Sequence, residues 1–331
     1  MSDPVLTVSD LRAYYQTSAF GIQREVRAVD GVDFQVGANE IYGLAGESSC
    51  GKTTLIRTIA AATRLPLKVM GGAITFNFHG RRISMADVDA EALAGIRWKH
   101  LSCIMQGSMN VLNPVRRIRQ SFVDFAFRHV REPMPVFLEV VRVHLRRLEL
   151  EAQILDAFPH QLSGGMRQRV AIALATVCRP DFIIADEPTT ALDVIVQNSV
   201  LAMIREVQRE LASSLIFVTH DLAVHANLSD RLGIMYAGHL VEEGRTADVF
   251  RKPMHPYTVN LISALPRIGR DNRNKGLEGA PPNLADPPAG CRFHPRCPLA
   301  MEICRRQNPP MVEVGSGHRA ACFAVTPEKA P

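Results

Sequence analysis

Residues 46–53 read Gly-Glu-Ser-Ser-Cys-Gly-Lys-Thr and fit the phosphate-binding pattern G-x-x-x-x-G-K-[ST]. An apolar stretch precedes them at residues 40–45, and a helix-like stretch follows at residues 54–61. This context separates the pattern from a chance glycine-rich turn, because the N–H groups and the dipole of a helix N-terminus bind anions. We expect Lys52 to reach the β- and γ-phosphates of a nucleotide and Thr53 to offer its hydroxyl to Mg²⁺.

Two apolar segments end in polar side chains that suit nucleotide chemistry. Residues 182–185 lead into Asp186 and Glu187, and residues 215–218 lead towards His220. At a strand end Asp186 can hold the Mg²⁺ of a nucleotide, and Glu187 can orient and polarise a water molecule. A surface acidic pair is the alternative, but a buried strand directs both carboxylates into the crevice where α/β sheets bind ligands. Beside these groups, His220 is a candidate γ-phosphate contact.

Two weaker signals accompany these motifs. The sequence Ser-Gly-Gly at residues 163–165 directly precedes an apolar helix at 170–175, which makes it a second potential phosphate site. Tyr14 and Tyr15 lie in a β-rich segment near the N-terminus, where an aromatic ring can either stack on adenine or pack in a core.

The elements that must position these residues form an α/β pattern. Residues 5–42 predict an antiparallel sheet before the phosphate-binding loop, with strands at 5–8, 26–29 and 32–36. A strand is predicted at 73–78, residues 115–158 are predicted to be mainly helical, and residues 232–242 predict a hairpin that turns at 237–239.

Composition sets broad limits on the class of protein. The 331 residues are 47% hydrophobic and 21% charged, so two domains with a large core are possible. The net charge of +5 suits a nucleotide binder or an anionic membrane face and selects neither. No apolar run approaches the span of about 20 residues that crosses a bilayer, and the N-terminus lacks a signal-peptide pattern. We therefore expect a cytoplasmic protein whose membrane role depends on a partner.

Four of the seven cysteines lie in the last part of the chain, after a proline-rich linker at 281–288. Their spacing is Cys291-x₅-Cys297-x₆-Cys304-x₁₇-Cys322. A reducing compartment disfavours disulfides, so the group is interpreted first as a metal site. Zinc sites usually show C-x₂₋₄-C pairs, which are missing, and the wider spacing favours a [4Fe–4S] cluster over Zn²⁺ or bare thiols. His294 and His318 are possible replacement ligands, although we expect both at the surface.

Cys50 carries a separate hypothesis. It lies at a predicted helix N-terminus two residues before Lys52, and both features lower the pKa of a thiol. Cys50 is therefore either a reactive thiol that nucleotide shields or an inert small residue.

Six segments, in this order, resemble the ATP-binding subunits of ABC transporters. They are the Walker A loop at 46–53, the Q-loop at Gln106, the signature at 162–165, the Walker B end at Asp186-Glu187, the D-loop at 191–193 and the switch His220. Further segments resemble the oligopeptide/dipeptide/nickel importer subfamily, some members of which carry sugars. These segments are residues 108–114, 159–161, 166–169, 255–258 and 290–298.

The resemblance implies an ABC-type nucleotide-binding domain over residues 1–265. This domain would have a RecA-like core, an antiparallel β subdomain and a helical subdomain at about 85–180. Residues 266–331 would form an irregular extension with the four-cysteine motif, for which the resemblance also favours [4Fe–4S].

The resemblance also implies roles for single residues. Tyr15, rather than Tyr14, would stack on adenine, and Glu187 would be the general base, with His220 on the γ-phosphate. Mg²⁺ would be held by Thr53, Gln106 and Asp186, and Asp193 would act in the D-loop. The remaining ATP contacts would be Gly46, Glu47, Ser48, Ser49, Cys50, Gly51, Lys52, Thr53, Thr54 and Gln106 within the chain, and Ser163, Gly164 and Gly165 towards the ATP of an opposite subunit. Ser49 departs from the subfamily, which usually has glycine there; glycine tolerates positive φ at little cost.

By resemblance, the chain hydrolyses ATP to power import of a peptide-like, oligosaccharide or nickel-type solute. Its expected partners are two membrane permeases, a second, related ABC ATPase and, indirectly, an extracytoplasmic solute-binding protein, with no nucleic acid. Its expected place is the cytoplasmic face of the inner membrane. The alternatives are an exporter ATPase, which residues 255–258 and the cysteine tail disfavour, and a soluble ABC ATPase acting on DNA or ribosomes. The latter usually carries coiled coils between the motifs or two motif sets, and the sequence shows neither.

Overall fold

The computed structural model describes residues 3–19, 22–105, 107, 111–190, 192–265 and 279–325. The strands are β1 Leu6–Ala19, β2 Ile22–Val36, β3 Ile41–Ala45, β4 Leu67–Phe78, β5 Arg81–Ser84, β6 Leu101–Ile104, β7 Phe182–Asp186, β8 Ser214–Val218, β9 Arg231–Tyr236, β10 His239–Arg245, β11 Val312–Gly315 and β12 His318–Ala320. The helices are α1 Lys52–Ile59, α2 Ala90–Ile96, α3 Ile118–His129, α4 Met134–Arg147, α5 Gly164–Thr176, α6 Val194–Leu211, α7 Leu222–Leu228, α8 Thr246–Arg251 and α9 Pro256–Ser263.

Two sheets organise the described residues. A four-stranded antiparallel sheet has the order β2-β1-β4-β5, and an eight-stranded sheet has the order β11-β12-β10-β9-β3-β8-β7-β6. In the larger sheet β9, β3, β8, β7 and β6 run parallel. Every residue of β3, β7 and β8 is buried, as expected for parallel strands covered on both faces. The carboxyl ends of these strands therefore share one edge, where the predicted catalytic residues meet.

The hydrophobic core has three parts. One joins α3, α4, α5 and α6 to one face of the parallel strands. The second packs the antiparallel sheet and α1 against the other face. The third lies around β9 and β10 and includes Phe293 of the C-terminal extension, which is 1% exposed. The extension is thus packed into the core.

Two details extend the sequence predictions. The two strands predicted between residues 26 and 36 are one strand, β2, because continuous pairing with β1 carries it past Gly31. The extension is largely irregular, but it contains the hairpin β11–β12, which joins the large sheet where Ala320 pairs with Glu242. Within the described ranges, none of the helices is both long and apolar enough to cross a membrane.

Candidate functional site

The loop between β3 and α1 depends on two glycines. Gly46 has φ 150°, and a Cβ there would lie 2.2 Å from the Met235 carbonyl oxygen. Gly51, the N-cap of α1, has φ 111°, and a Cβ there would lie 2.0 Å from the Ala28 carbonyl oxygen. Both positions therefore exclude side chains, which explains the two glycines of the phosphate-binding pattern. Ser49 has φ 64°, so the serine in place of the usual glycine adopts the left-handed conformation that costs a non-glycine residue energy.

Lys52 is held over this loop. Its Nζ donates hydrogen bonds to the carbonyl oxygens of Gly46, at 2.7 Å, and Glu47, at 2.9 Å. Lys52 is buried, so its ammonium group is already oriented towards the space that phosphates occupy in such loops. A cavity of about 280 Å³ opens beside the loop, and its lining includes Ser48, Ser49 and Val26 of β2.

Asp186 stands at the carboxyl end of β7 as a buried carboxylate. Neither of its oxygens has a hydrogen-bond partner in the described part of the chain. Burial raises the pKa of Asp186 to about 6; Glu187 adds to the rise, while Arg57, Lys52 and the hydroxyl of Thr53 counteract it. An unpaired buried carboxylate near the Thr53 hydroxyl is a donor set that suits Mg²⁺, because hard cations prefer oxygen ligands.

Glu187 is positioned by two side chains. His220 Nδ1 lies 3.2 Å from Glu187 Oε1, and the Thr190 hydroxyl donates to Glu187 Oε2 at 2.9 Å. The backbone of Glu187 has φ 46°, an unusual conformation for this residue type. The chain therefore brings together the predicted base and the predicted γ-phosphate contact.

Tyr14 and Tyr15 have different surroundings. Tyr14 is buried, and its hydroxyl donates to Asp30, so its ring is committed to the core. Tyr15 is half-buried, its hydroxyl lies 3.1 Å from that of Thr54, and it pairs across the sheet with Val26, which lines the loop cavity. Tyr15 itself lines a neighbouring groove together with Arg57 and Trp98, and it is the more exposed of the two tyrosines, so its stacking on adenine stays a prediction.

The signature serine lies apart from this loop. Ser163 is exposed and caps α5 by accepting a hydrogen bond from Met166 N at 3.2 Å. Helix α5 packs against β6, which lies three strands across the sheet from β3. Strand spacing places β6 about 14 Å from β3, and Ser163 begins a helix on the β6 side of the sheet. Asp193 caps α6 by accepting from Val196 N, and Val196 also packs against Gly165. Gln106 lies outside the described residues.

The four C-terminal cysteines line one small cavity together with His294 and Phe293. All four thiols are free, and burial raises the pKa of Cys291 to about 11, with the three other cysteines adding to the rise. His318, expected at the surface, is instead buried, and its Nε2 lies 2.8 Å from Glu242 Oε1.

The predicted lowering of the Cys50 pKa is wrong. Cys50 is 4% exposed, and burial raises the pKa of its thiol more than Lys52, at 3.6 Å, lowers it. The inert alternative therefore fits the structure better.

Comparisons with known proteins identify the family. The model of the "ABC transporter" family matches residues 29–190, and that of the "Oligopeptide/dipeptide transporter, C-terminal region" matches residues 241–304. The Escherichia coli (strain K12) "Oligopeptide transport ATP-binding protein OppD" is 39% identical over 329 residues, covering 97% of this chain and 94% of that protein. The "Dipeptide transport ATP-binding protein DppD" of Caldanaerobacter subterraneus subsp. tengcongensis is 36% identical over 321 residues, covering 96% of each.

This chain belongs to the oligopeptide/dipeptide family of ABC transporter ATP-binding subunits. Solved structures agree on the fold. The structure of cbiO1 from Clostridium perfringens, described as part of the ABC transporter complex cbiONQ, superposes with a TM-score of 0.62 at 25% identity, over 78% of this chain and 96% of that one. The ATP-binding cassette MJ0796 bound to ADP and Pi superposes with a TM-score of 0.60 at 24% identity, over 73% and 98% of the two chains. Accordingly, the chain is an ATPase.

In this ABC subunit, the C-terminal extension contacts the Walker A loop directly. Arg296 donates from both terminal nitrogens to Glu47, at 2.8 and 3.0 Å, and the Tyr257 hydroxyl accepts from Glu47 N at 2.8 Å. Arg296 also donates to Tyr236 Oη at 3.2 Å. Sequence patterns did not predict the contact between Arg296 and Glu47, because the two residues are 249 positions apart and only the fold brings them together.

Proposed function

We propose that this subunit hydrolyses ATP to power import of peptides through a membrane permease. The main support is that Lys52, Asp186 and Glu187 lie at the same edge of the parallel sheet. The second support is that the relatives are named as dipeptide and oligopeptide transport proteins. The absence of a spanning helix among the described residues is compatible with peripheral attachment at the cytoplasmic face of the inner membrane.

The ATP roles follow from the geometry of the loop and the strand ends. Lys52 and the loop N–H groups bind the phosphates, and Tyr15 stacks on adenine. Thr53 and Asp186, with Gln106, would hold Mg²⁺, which would supply positive charge to the phosphates. Glu187 accepts a proton from water as the water oxygen bonds to the γ-phosphorus and the bond to the bridging oxygen breaks, which releases ADP and phosphate. His220 orients Glu187 and contacts the γ-phosphate.

The second half of each ATP site comes from another ABC ATPase. Ser163 caps a helix that packs on β6, whereas the loop follows β3, three strands away, and we place Ser163 out of reach of a nucleotide in its own loop. We infer a head-to-tail pair in which residues 163–165 contact the partner's ATP and Asp193 supports the junction. The pairing ATPase is a related chain, and closing and opening of the pair drives the permease.

The permease docks at a groove of about 540 Å³. Its lining includes Arg64, Leu67, Trp98 and Met105, the last of which directly precedes Gln106, and it reaches Tyr15 on the side of the adenine. Leu65, between two lining residues, is 80% exposed. An exposed apolar side chain at the rim of a large groove fits a protein partner, and the position of Met105 links the groove to the Mg²⁺ site.

Affinity purification from mildly solubilised membranes tests this function. Mass spectrometry is expected to find two multi-span permeases and a second ABC ATPase. Leu65→Asp should lose the permeases but keep ATP binding, whereas Leu299→Asp, at an exposed leucine of the extension, should keep both. Ribosomal or DNA-repair proteins in place of permeases would contradict the proposal.

The four-cysteine cavity holds a [4Fe–4S] cluster in this proposal. Burial and the neighbouring cysteines raise the pKa of Cys291, and a bound cation would stabilise its thiolate. Tetrahedral zinc with bonds of about 2.3 Å needs sulfurs about 3.8 Å apart. Among the described residues, no three of these sulfurs all lie within 4.8 Å of one another. This wider spacing favours the cluster over zinc. Anaerobic purification with iron and sulfide analysis tests it; intact thiols without iron would refute it.

A further inference from the structure

Three potential metal ligands meet on the surface away from the nucleotide site. His79 Nε2 lies 2.8 Å from Asp181 Oδ1, and His100 Nδ1 lies 2.6 Å from Asp181 Oδ2. One ligand atom from each residue lies within 4.8 Å of the other two. The three residues come from separate elements, so their sequence positions give no motif.

The fold places this group at the opposite edge of the sheet from ATP. His100 and Asp181 each directly precede a parallel strand, β6 and β7, whereas Asp186 ends β7. A strand of five residues spans about 16 Å, so the group is distinct from the ATPase site. His79 belongs to the antiparallel sheet, where it forms the two-residue turn between β4 and β5 with Gly80. The group therefore bridges the two sheets.

The donor set suits a borderline transition metal. Two imidazole nitrogens and one carboxylate oxygen form a three-ligand site of the kind that Zn²⁺ completes with water. The His79 side chain is 77% exposed, which leaves room for the water. The His100 ring stacks on Phe78 with centroids 5.2 Å apart, which fixes its orientation.

The required movement is small. Tetrahedral bonds of about 2.0–2.1 Å place donor atoms about 3.3 Å apart. The hydrogen-bonded distances of 2.6 and 2.8 Å run to different oxygens of Asp181, and one ligand atom from each residue lies within 4.8 Å of the others, so each separation must change by at most about 1.5 Å. The exposed β4–β5 turn can move by this amount without disturbing the core.

We propose that His79, His100 and Asp181 bind one divalent transition-metal ion of the zinc type. The ion replaces the hydrogen bonds of Asp181 and ties the antiparallel sheet to the parallel sheet. It is independent of the cysteine cavity and of the Mg²⁺ that accompanies ATP.

Titration of the full chain with Co²⁺, followed by absorption, tests the proposal. Thiolate ligation to Co²⁺ adds charge-transfer bands that nitrogen and oxygen ligands lack, so the two classes of site are distinguishable. We expect the chain to bind one equivalent of Co²⁺ with the spectrum typical of nitrogen and oxygen ligands. Zn²⁺ should compete with Co²⁺ for this site. His79→Asn, which suits a turn with positive φ, and His100→Gln should each weaken this binding at least tenfold.

The matched control is His160→Ala, which removes an exposed imidazole elsewhere and should bind Co²⁺ as the unmodified chain does. His79→Asn should bind MgATP with the affinity of the unmodified chain, which shows that the variant is folded. If His79→Asn and His100→Gln give the same nitrogen/oxygen spectrum and affinity as the unmodified chain, the group is only a hydrogen-bonded junction and the proposal is wrong.

Discussion

The Walker A loop and the signature differ in how completely the chain itself fixes them. In the loop, Lys52 is buried and donates hydrogen bonds to two carbonyl oxygens, and Glu47 accepts hydrogen bonds from Arg296. In the signature, Ser163 is exposed, and its side-chain hydrogen bond among the described residues is the local helix cap. The binding half is therefore preorganised, whereas the signature offers hydrogen-bonding groups to a partner. This difference fits the proposal that the single chain binds ATP and that a pair of ATPases forms the closed catalytic state.

Glu187→Gln should have the largest effect, because it removes the proposed base and leaves both halves of the site intact. We expect steady-state ATPase activity of the transporter assembly to fall at least 100-fold. The ATP-loaded pair should persist, as measured by retention of nucleotide. The control is Glu206→Gln, an exposed carboxylate of α6, which should be neutral. Undiminished turnover in Glu187→Gln would remove Glu187 from the role of base.

Low pH should lower the stability of both the helical region and the nucleotide-binding region, because each contains a buried neutral histidine. His144, in the helical region, and His225, packed against β3, both have their pKa lowered to about 4 by burial, from 6.5. The unfolded chain therefore binds more protons below pH 6.5, and stability is lost as the pH falls from there towards 4. Each histidine should cost about 2 kcal/mol at pH 5.

The thermal midpoint at pH 7 and pH 5 measures this loss. His144→Asn should show a smaller drop between the two pH values, whereas His160→Ala should match the unmodified chain. An identical drop in His144→Asn would mean that the helical region, which carries the signature, does not limit acid stability.

Arg296→Ala tests whether the extension preorganises the loop. Arg296 is 6% exposed at its side chain, so its loss frees Glu47 within a partly buried site. We expect MgATP binding to weaken about tenfold, or about 1.4 kcal/mol, which is typical of a hydrogen bond to a charged group. Arg305→Ala removes an exposed arginine of the same extension and should have no effect. Unchanged affinity in Arg296→Ala would make the contact purely structural.

Ser49→Gly should have the smallest effect. Relief of the positive φ is opposed by the greater flexibility of glycine in the unfolded chain, so the net gain should be below about 1 kcal/mol. The thermal midpoint should rise by about 1–2 °C. A fall in the midpoint would show that the serine makes contacts that outweigh its backbone strain.

Local patterns predicted the secondary structure around the phosphate-binding loop and the strand-end carboxylates. Strand β3, the loop and α1 are contiguous, and the carboxylates directly follow β7, so periodicity and motif order were sufficient. The Arg296–Glu47 pair and the His79–His100–Asp181 group were missed, because each depends on distant segments meeting in the fold. The Cys50 prediction failed for a related reason, since its burial comes from tertiary packing that outweighs the nearby lysine.

Equilibrium binding of MgATP to the isolated chain, measured for Ser163→Arg and Lys52→Ala, tests the divided site most directly. We predict that Ser163→Arg binds as the unmodified chain does, whereas Lys52→Ala loses most of its affinity. In the assembled transporter, both variants should lose hydrolysis. If Ser163→Arg weakens binding to the isolated chain as much as Lys52→Ala does, the signature acts on its own nucleotide and the account is contradicted.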